Sequence, residues 1–202
     1  MNQNCTGVIL AGGRNIRLPG IKKTFHEIQG RRVMDCIYGM FTSLFDRVIV
    51  VANDPGDFVE WDALIVSDID PSRCSMAGLH AGLFYADTPW CFVSACDTPF
   101  LKEDLARHIL SCIRPGIDVV IPETEGGLEP LFAAYSRECL PLIEKNLEAG
   151  IYMIKRFFRK NRVDTIPLDV VRRIDPGMTS FFNINTPEDL ETARQMASRE
   201  QQ

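Results

Sequence analysis

The sequence predicts one α/β domain, Rossmann-like, with a mostly parallel central sheet and helices on both faces. Short apolar runs rich in branched residues alternate along the chain with longer segments of helical periodicity. The chain has 202 residues, of which 46% are hydrophobic. This is enough for one substantial core, and neither an internal repeat nor a linker divides the chain. We therefore expect residues 1–202 to form a single domain.

The first half of the chain alternates regularly. The first strand is predicted at 6–11, because this run is short, branched and closed by Gly12 and Gly13. Apolar residues at helical spacing then predict a helix at 32–45, and two apolar runs predict strands at 47–52 and 63–66. The same reasoning predicts a helix, a central strand, an amphipathic helix and another strand, at 76–86, 90–95, 102–114 and 118–121.

The second half is less regular. Strands are predicted at 131–135 and 163–168, helices at 139–146 and 152–160, and a further strand leading through Phe181 and Phe182 into Asn183. A last helix is expected to begin with Thr186 as its N-cap, Pro187 at the first position and Asp189 three residues after the cap. Tyr152, Phe157 and Phe158 lie in a predicted helix, and we expect them to belong to the core rather than to form a stacking platform for a ligand.

Composition argues against several classes of function. The net charge is −5, with acidic and basic residues interspersed, so no basic stripe for nucleic acid is evident. No apolar stretch approaches the length of a membrane span, and residues 1–5 lack the features of an export signal, so we expect a cytoplasmic protein. The seven cysteines form no C-x-x-C pair and are expected to be reduced and mostly buried.

The loop after the first strand predicts an anion site. Gly12 and Gly13 let the backbone approach a ligand closely, and Arg17 and Lys23 follow in the same loop. Ligands of open α/β sheets bind beyond the carboxyl ends of the strands, and backbone N–H groups beside cations are typical of phosphate sites. The glycine spacing fits neither the dinucleotide fingerprint nor the P-loop.

Polar residues follow other predicted strands and should reach the same edge of the sheet. Asp97 follows the strand at 90–95, and Asn53 and Asp68 follow the strands at 47–52 and 63–66. A carboxylate at this edge is a suitable ligand for Mg²⁺, which keeps several water and phosphate oxygens in its shell. From the residues alone, Asp97 is equally compatible with a helix cap.

The loop resembles the signature L-A-G-G-x-x-x-R-x-x-G-x-x-K of the nucleotidyltransferases that activate sugars and cofactors. The matching residues are Leu10, Ala11, Gly12, Gly13, Arg17, Gly20 and Lys23. Three further segments match in order: CDTPF at 96–100, EPLF at 129–132 and NINTPEDL at 183–190. Together they resemble the molybdenum cofactor guanylyltransferase family over about residues 6 to 193.

This resemblance implies a nucleotide-diphospho-sugar transferase-like fold and a Mg²⁺-dependent reaction. GMP would pass from GTP to the terminal phosphate of the molybdenum-molybdopterin cofactor, giving the guanine dinucleotide cofactor and diphosphate. Lys23 would offset charge at the α-phosphate, Arg17 would contact the leaving phosphates, and Asp97 would be the principal Mg²⁺ ligand. The N-terminal half would bind the nucleotide and the C-terminal half the acceptor.

The remaining site residues follow from the same resemblance. GTP would be bound by Leu10, Ala11, Gly12, Gly13, Lys23, Asn53, Asp68, Gly78 and Asp97. Molybdopterin would be bound by Glu129, Asn183 and Asn185. Only one of Asn183 and Asn185 is expected to approach the metal or the cofactor phosphate, whereas the other is expected to be structural and to bond the turn into the last helix.

Three other functions remain open at this point. A cytidylyltransferase acting on the same cofactor and a sugar-phosphate nucleotidyltransferase would share the first loop. A GTP-binding module without catalysis, which delivers cofactor to apo-enzymes, would share it as well. Each of these functions that involves the molybdenum cofactor is compatible with transient contact with molybdoenzymes or their chaperones.

Overall fold

A computed structural model of the chain describes residues 4–12, 23–156, 158 and 162–199. For Lys23 the backbone alone is described. Gly13 and Arg17, two residues predicted for the phosphate loop, therefore lie outside the described residues, and so does Phe157 of the predicted aromatic helix.

The predicted alternation of strands and helices is confirmed through most of the chain. The strands are β1 (Cys5–Leu10), β2 (Glu27–Ile28), β3 (Arg31–Arg32), β4 (Val48–Val51), β5 (Leu64–Val66), β6 (Trp90–Ala95), β7 (Val119–Thr124), β8 (Gly127–Leu128), β9 (Phe132–Ser136) and β10 (Val163–Ile166). The α-helices are α1 (Val33–Leu44), α2 (Ser75–Tyr85), α3 (Glu103–Ser111), α4 (Leu140–Glu148), α5 (Leu168–Ile174) and α6 (Pro187–Arg199). Short 3-10 turns lie at Lys23–Phe25, Pro55–Phe58, Arg137–Cys139, Ile154–Arg156 and Thr179–Phe181.

The central sheet has the order β10-β7-β9-β6-β1-β4-β5, with β8 paired to β7 beside this path. The pairs β1–β4, β1–β6, β4–β5 and β7–β10 are parallel, whereas β9 is antiparallel to both of its neighbours. β9 reverses because the chain returns to it from β7 through β8, without a helical crossover. The mostly parallel sheet predicted from sequence is thereby confirmed.

Helices cover both faces of the sheet, as predicted. One hydrophobic layer contains buried residues of α1, α3, α5 and α6, and the other contains buried residues of α2 and α4. β1 lies inside the sheet between β6 and β4 and contributes to both layers, because Ile9 faces the first while Val8 and Leu10 face the second. This strand is therefore fixed from both sides.

The predicted helix at 152–160 is wrong for the part that the structure describes. Residues 151–153 are irregular and lead into the 3-10 turn Ile154–Arg156. Gly150, with φ of +69°, lies two residues after the end of α4 and turns the chain away from the helix. Tyr152 is 50% exposed, so it does not belong to the core, whereas Phe158 packs near Tyr135 with ring centroids 6.5 Å apart.

The predicted strand at 181–183 is also wrong. The chain forms the 3-10 turn Thr179–Phe181 and continues irregularly to α6. The backbone N–H of Ser180 donates to the buried Asp175 carboxylate at 2.8 Å, and the Ser180 hydroxyl accepts a hydrogen bond from the backbone N–H of Lys102 at 3.0 Å. Since local partners satisfy this backbone, no sheet pairing is needed.

The predicted start of the last helix is confirmed. The backbone N–H of Asp189 donates to the Thr186 hydroxyl at 3.1 Å. The Asp189 carboxylate accepts hydrogen bonds from the backbone N–H groups of Asn185 and Thr186, both at 2.8 Å. This reciprocal capping box fixes the chain that enters α6. By contrast, α5 was not predicted, and the strand predicted at 163–168 ends at Ile166.

Two further findings concern the whole described part of the chain. None of its helices is both long enough and apolar enough to cross a bilayer. All seven cysteines are described and free of disulfide bonds, and four of them are buried: Cys5, Cys91, Cys96 and Cys139. Burial raises the pKa of the Cys91 and Cys139 thiols to about 12, so both remain protonated at neutral pH.

Candidate active site

The parallel strands β1, β4, β5 and β6 place their carboxyl ends at one edge of the sheet. Backbone hydrogen bonds continue past these ends and fix the loops. Ala11 N–H donates to Val51 at 2.8 Å, and Cys96 N–H donates to Leu10 at 3.1 Å. The loops that follow the strands are therefore held in register with each other.

A cavity of about 200 Å³ lies at this edge; we call it the nucleotide cavity. Its lining includes seven residues that the sequence predicts for the site: Leu10, Gly12, Asp68, Gly78, Asp97, Asn183 and Asn185. They come from distant parts of the chain, and the topology brings them together as expected for the switch region of an α/β sheet. Their individual roles remain predictions.

Two glycines give the nucleotide cavity its shape. A Cβ atom at Gly12 would lie 3.1 Å from the Asn53 Nδ2 atom, and one at Gly78 would lie 3.3 Å from Leu10 Cδ2 and 3.7 Å from Asp68 Oδ1. A side chain at either position would therefore crowd the neighbouring groups. The absence of Cβ at both positions keeps space for a ligand that approaches the backbone.

Asn53 and Asp68 act as a pair at the side of this cavity. The Asn53 side chain donates a hydrogen bond to the Asp68 carboxylate, which partly offsets the cost of burying that charge. Burial nevertheless dominates and raises the pKa of Asp68 above its ordinary value, with Asp70 adding repulsion and Arg73 opposing it. The fold thus holds an incompletely compensated acceptor beside Gly78.

Asp97 lies in the turn after β6, and this turn is fixed by two hydrogen bonds. The Thr98 hydroxyl donates to the Ala95 carbonyl oxygen at 3.0 Å, and the backbone N–H of Ile184 donates to the Asp97 carbonyl oxygen at 2.9 Å. The second bond ties the segment with Asn183 and Asn185 to Asp97. Both asparagines line the nucleotide cavity, so the expectation that only one would reach the site is wrong. Residues two positions apart on an extended segment lie on the same side, which is compatible with both side chains reaching the cavity.

Side chains that line the nucleotide cavity carry oxygen atoms of the kind that Mg²⁺ binds. Within the described residues there is no cluster of three or more His, Cys, Asp and Glu side chains that would form an all-protein metal cage. Asp68 and Asp97 are the carboxylates among the described residues that line this cavity. One carboxylate is enough for Mg²⁺, which retains water and takes phosphate oxygens as ligands. That Asp97 holds this ion stays a prediction.

The backbone of Lys23 is positioned next to the same turn. Thr24 is buried, and its hydroxyl lies 3.3 Å from the Cys96 Sγ atom, one residue before Asp97. Phe25 lies in an aromatic cluster, with ring centroids 5.5 Å from Phe58 and 6.1 Å from Trp61. Sequence reasoning missed this support, because a buried threonine beside a cysteine has no distinctive sequence pattern.

Arg32 stabilises the aromatic cluster from outside. Its guanidinium lies 4.6 Å from the centre of the Trp61 ring and bonds Asp35 at 2.9 Å and Glu60 at 2.6 Å. Trp61 Nε1 donates to the Asp35 carboxylate at 3.1 Å. Arg32 holds the pKa of Asp35 below its ordinary value, so the network stays charged at neutral pH. Through Phe25 and Trp61, it supports the segment that carries Lys23.

A second, open cavity of about 680 Å³ adjoins the first; we call it the side groove. The two share Cys74, Ser75 and Leu131. The rest of the groove lining comprises Ser72, Arg73, Pro130, Tyr152, Met153, Ile154 and Lys155. Of these, Pro130 belongs to the motif at 129–132, and Tyr152 was expected in the core. Glu129 lines neither cavity, and its carboxylate accepts a hydrogen bond from the Thr124 hydroxyl at 2.7 Å. The predicted acceptor role of Glu129 stays a prediction.

Comparison with known proteins gives a consistent result. Residues 7–165 match the MobA-like NTP transferase domain. The chain is 45% identical over 188 residues to a curated molybdenum cofactor guanylyltransferase from Desulfosudis oleivorans, and the match covers 93% of both chains.

Solved structures resemble the chain over almost its whole length. The crystal structure of molybdopterin-guanine dinucleotide biosynthesis protein A from Archaeoglobus fulgidus superposes with a TM-score of 0.83 at 28% identity, covering 96% of this chain and 99% of that one. The 4-diphosphocytidyl-2C-methyl-D-erythritol synthase of Anaerococcus prevotii superposes with a TM-score of 0.73 at 18% identity, covering 98% and 97% of the two chains. The latter similarity concerns the fold alone.

Proposed function

Because this chain belongs to the MobA-like NTP transferase family and is a nucleotidyltransferase, we propose that it transfers GMP from GTP to the molybdenum-molybdopterin cofactor. The products are the guanine dinucleotide cofactor and diphosphate. The 45% identity to a molybdenum cofactor guanylyltransferase over nearly the full length of both chains supports this choice of nucleotide and acceptor.

The observation that carries the proposal is the composition of the nucleotide cavity. One cavity at the carboxyl edge of the sheet is lined by Asp97, Asn183 and Asn185 together with Leu10 and Gly12. This arrangement combines backbone that a phosphate can approach with oxygen ligands for a divalent cation. The cavity therefore suits a nucleoside triphosphate with its metal.

The proposed reaction is one in-line displacement. An oxygen of the terminal phosphate of the acceptor attacks the α-phosphorus of GTP and forms the new diphosphate bridge. The bond from the α-phosphorus to the oxygen that bridges to the β-phosphate breaks, and its electron pair leaves with diphosphate. Because the attacking phosphate monoester is already anionic at neutral pH, no protein base is needed, and catalysis rests on positioning and charge stabilisation.

The roles of the residues follow from this scheme. Lys23 offsets the charge that develops at the α-phosphate, and Arg17 binds the departing phosphates. Asp97 holds Mg²⁺, which when bound neutralises charge on the triphosphate. The backbone at Leu10, Ala11, Gly12 and Gly13 approaches the phosphates, while Asn53, Asp68 and Gly78 bind the nucleoside. Asn183 and Asn185 face the acceptor phosphate.

The proposal also includes the protein partners of the enzyme and its location in the cell. Its product serves enzymes that contain the dinucleotide cofactor, so we include transient contact with such molybdoenzymes or their chaperones. A cytoplasmic location, where GTP is available, belongs to the same proposal.

The deciding experiment is diphosphate release under anaerobic conditions with Mg²⁺ and molybdenum-molybdopterin, comparing GTP, CTP, ATP and UTP. Release with GTP alone, together with mass-spectrometric detection of the guanine dinucleotide, is the expected result. Release with CTP alone would replace the proposal by a cytidylyltransferase. GTP binding without release, in a preparation whose cofactor is accepted by an authentic guanylyltransferase, would overturn the catalytic assignment.

A further inference from the structure

The side groove is placed where an acceptor must lie. It meets the nucleotide cavity at Cys74, Ser75 and Leu131, which line both. A molecule in the groove would therefore touch a nucleotide bound next to it. At about 680 Å³, the groove has room for a fused-ring molecule with a phosphate side chain.

The outer wall of the groove is apolar and exposed. Tyr152 is 50% exposed and Met153 is 60% exposed, which places both among the large hydrophobic residues left open to solvent in the described part of the chain. Pro130 and Leu131 line the groove with them. A tyrosine ring and a polarizable thioether are suited to contact a flat conjugated ring and sulfur atoms.

The charged residues of the groove are both cationic. Arg73 precedes Cys74 at the junction and acts electrostatically on Asp68 of the nucleotide cavity. The Lys155 Nζ atom lies 3.8 Å from the position that a Cβ on Gly127 would occupy, so it is close to the β7–β8 hairpin. No acidic side chain is among the described residues that line the groove, although the chain as a whole has a net charge of −5.

We infer that the side groove is the acceptor subsite, in which Tyr152 and Met153 contact the conjugated ring of the pterin while Arg73 and Lys155 bind its anionic groups. This inference rests on the proposed function and specifies how that function selects its acceptor. Arg73 lies at the junction, so it receives the terminal phosphate that must reach the α-phosphorus of GTP. Lys155 binds anionic charge elsewhere on the acceptor.

The inference is tested by measuring binding of the two substrates separately. Anaerobic equilibrium dialysis, with bound molybdenum quantified, gives the dissociation constant of molybdenum-molybdopterin, and calorimetry with Mg²⁺ gives that of GTP. Tyr152→Ala is expected to weaken cofactor binding about tenfold, because a stacking contact is lost. Tyr152→Phe is expected to restore it, and GTP binding should change in neither variant.

The charge contribution has its own variant and controls. Lys155→Gln is expected to weaken cofactor binding about fivefold at low salt and less at high salt, since an exposed ion pair is screened. Tyr85→Ala and Arg156→Gln are matched controls, because these exposed residues lie outside the groove. Both controls should bind the cofactor like the unaltered protein.

Failure of the inference and failure of the proposed function give different results. If the unaltered protein makes the dinucleotide and the Tyr152 and Lys155 variants bind cofactor as tightly as the controls, the acceptor lies elsewhere and the proposed function stands. If the unaltered protein neither binds the cofactor nor releases diphosphate, both are overturned. Loss of GTP binding in the groove variants would also reject a dedicated acceptor subsite.

Discussion

The nucleotide cavity lies on the ends of parallel strands, whereas the side groove is formed by three segments outside the strands, at 72–75, 130–131 and 152–155. Backbone hydrogen bonds between neighbouring loops fix the first region, and two glycines allow close approach of a ligand. The second region presents half-exposed apolar side chains and cations. In the proposed function, the nucleotide is therefore bound by a rigid region at the ends of the strands. The acceptor is instead recognised by side chains outside the strands.

The largest expected effect concerns Asp97. Asp97→Asn removes the carboxylate proposed to hold Mg²⁺ and should lower the rate of diphosphate release about 100-fold to 1000-fold. The acceptor dissociation constant should change little, because the side groove stays intact. Rates with saturating GTP and molybdenum-molybdopterin measure the effect, and Asp46→Asn, at an exposed position outside both cavities, serves as the control. An unchanged rate would remove Asp97 from the proposed mechanism.

The packing of α2 on β1, which supports the nucleotide cavity, can be disturbed at Gly82. A Cβ at this position would lie 2.5 Å from Val8 Cγ1, so Gly82→Ala must push α2 away from β1. We expect the free energy of unfolding to fall by about 1–3 kcal/mol and GTP binding to weaken, because α2 carries Gly78 into the nucleotide cavity. Urea denaturation and GTP calorimetry measure the two effects.

Gly56→Ala is the matched control for this change, since nothing lies within 4 Å of a Cβ there. It should leave GTP binding unaltered. If Gly82→Ala were as stable as Gly56→Ala, the tight packing of α2 on β1 would not be what supports the nucleotide cavity.

A smaller effect is expected at Thr24. Thr24→Val keeps the shape of this buried side chain but removes the hydroxyl that contacts Cys96 Sγ at 3.3 Å. The backbone of Lys23 would then be held less firmly beside Asp97, and we expect kcat to fall about threefold to tenfold with little change in KM for GTP. Steady-state kinetics measures the effects on kcat and on KM for GTP separately. Thr192→Val, at an exposed position on α6, should have no effect.

The difference between the nucleotide cavity and the side groove also explains which features can be predicted from the sequence. The strands and most helices follow from hydrophobic periodicity, and the residues after β1, β5 and β6 meet because parallel strands end at one edge. The prediction for Tyr152 is wrong because aromatic residues at helical spacing normally indicate a buried face, whereas residues 151–153 form no helix and leave Tyr152 50% exposed. The strand predicted to lead into Asn183 is absent, and the backbone of Ser180 instead donates a hydrogen bond to the Asp175 carboxylate. Contacts between a side chain and the backbone leave no periodic signal in the sequence.

The smallest expected effect is on stability, at Asp68. Burial raises the pKa of this carboxyl above its ordinary value of 3.8, so the folded state binds its proton more tightly than the unfolded state. Stability therefore falls as pH rises from 3.8 through the raised pKa, and the cost persists at neutral pH. Asp68→Asn keeps an oxygen that accepts the hydrogen bond from Asn53 but removes the charge. At neutral pH we expect Tm to rise by about 1–2 °C, a small change because the group is partly exposed.

The gain in Tm should disappear near pH 3.8, where the unaltered side chain is itself protonated in the folded state. GTP binding should weaken at neutral pH, because the ionised acceptor beside Gly78 is lost. Melting curves at the two pH values, with GTP calorimetry at neutral pH, test both parts. A protein that became more stable without losing GTP affinity would show that the buried charge serves no purpose in nucleotide binding. A loss of GTP affinity together with the gain in Tm would show that the nucleotide cavity keeps a destabilising buried charge because that charge binds GTP. The cations of the side groove are exposed, so they carry no comparable cost in stability.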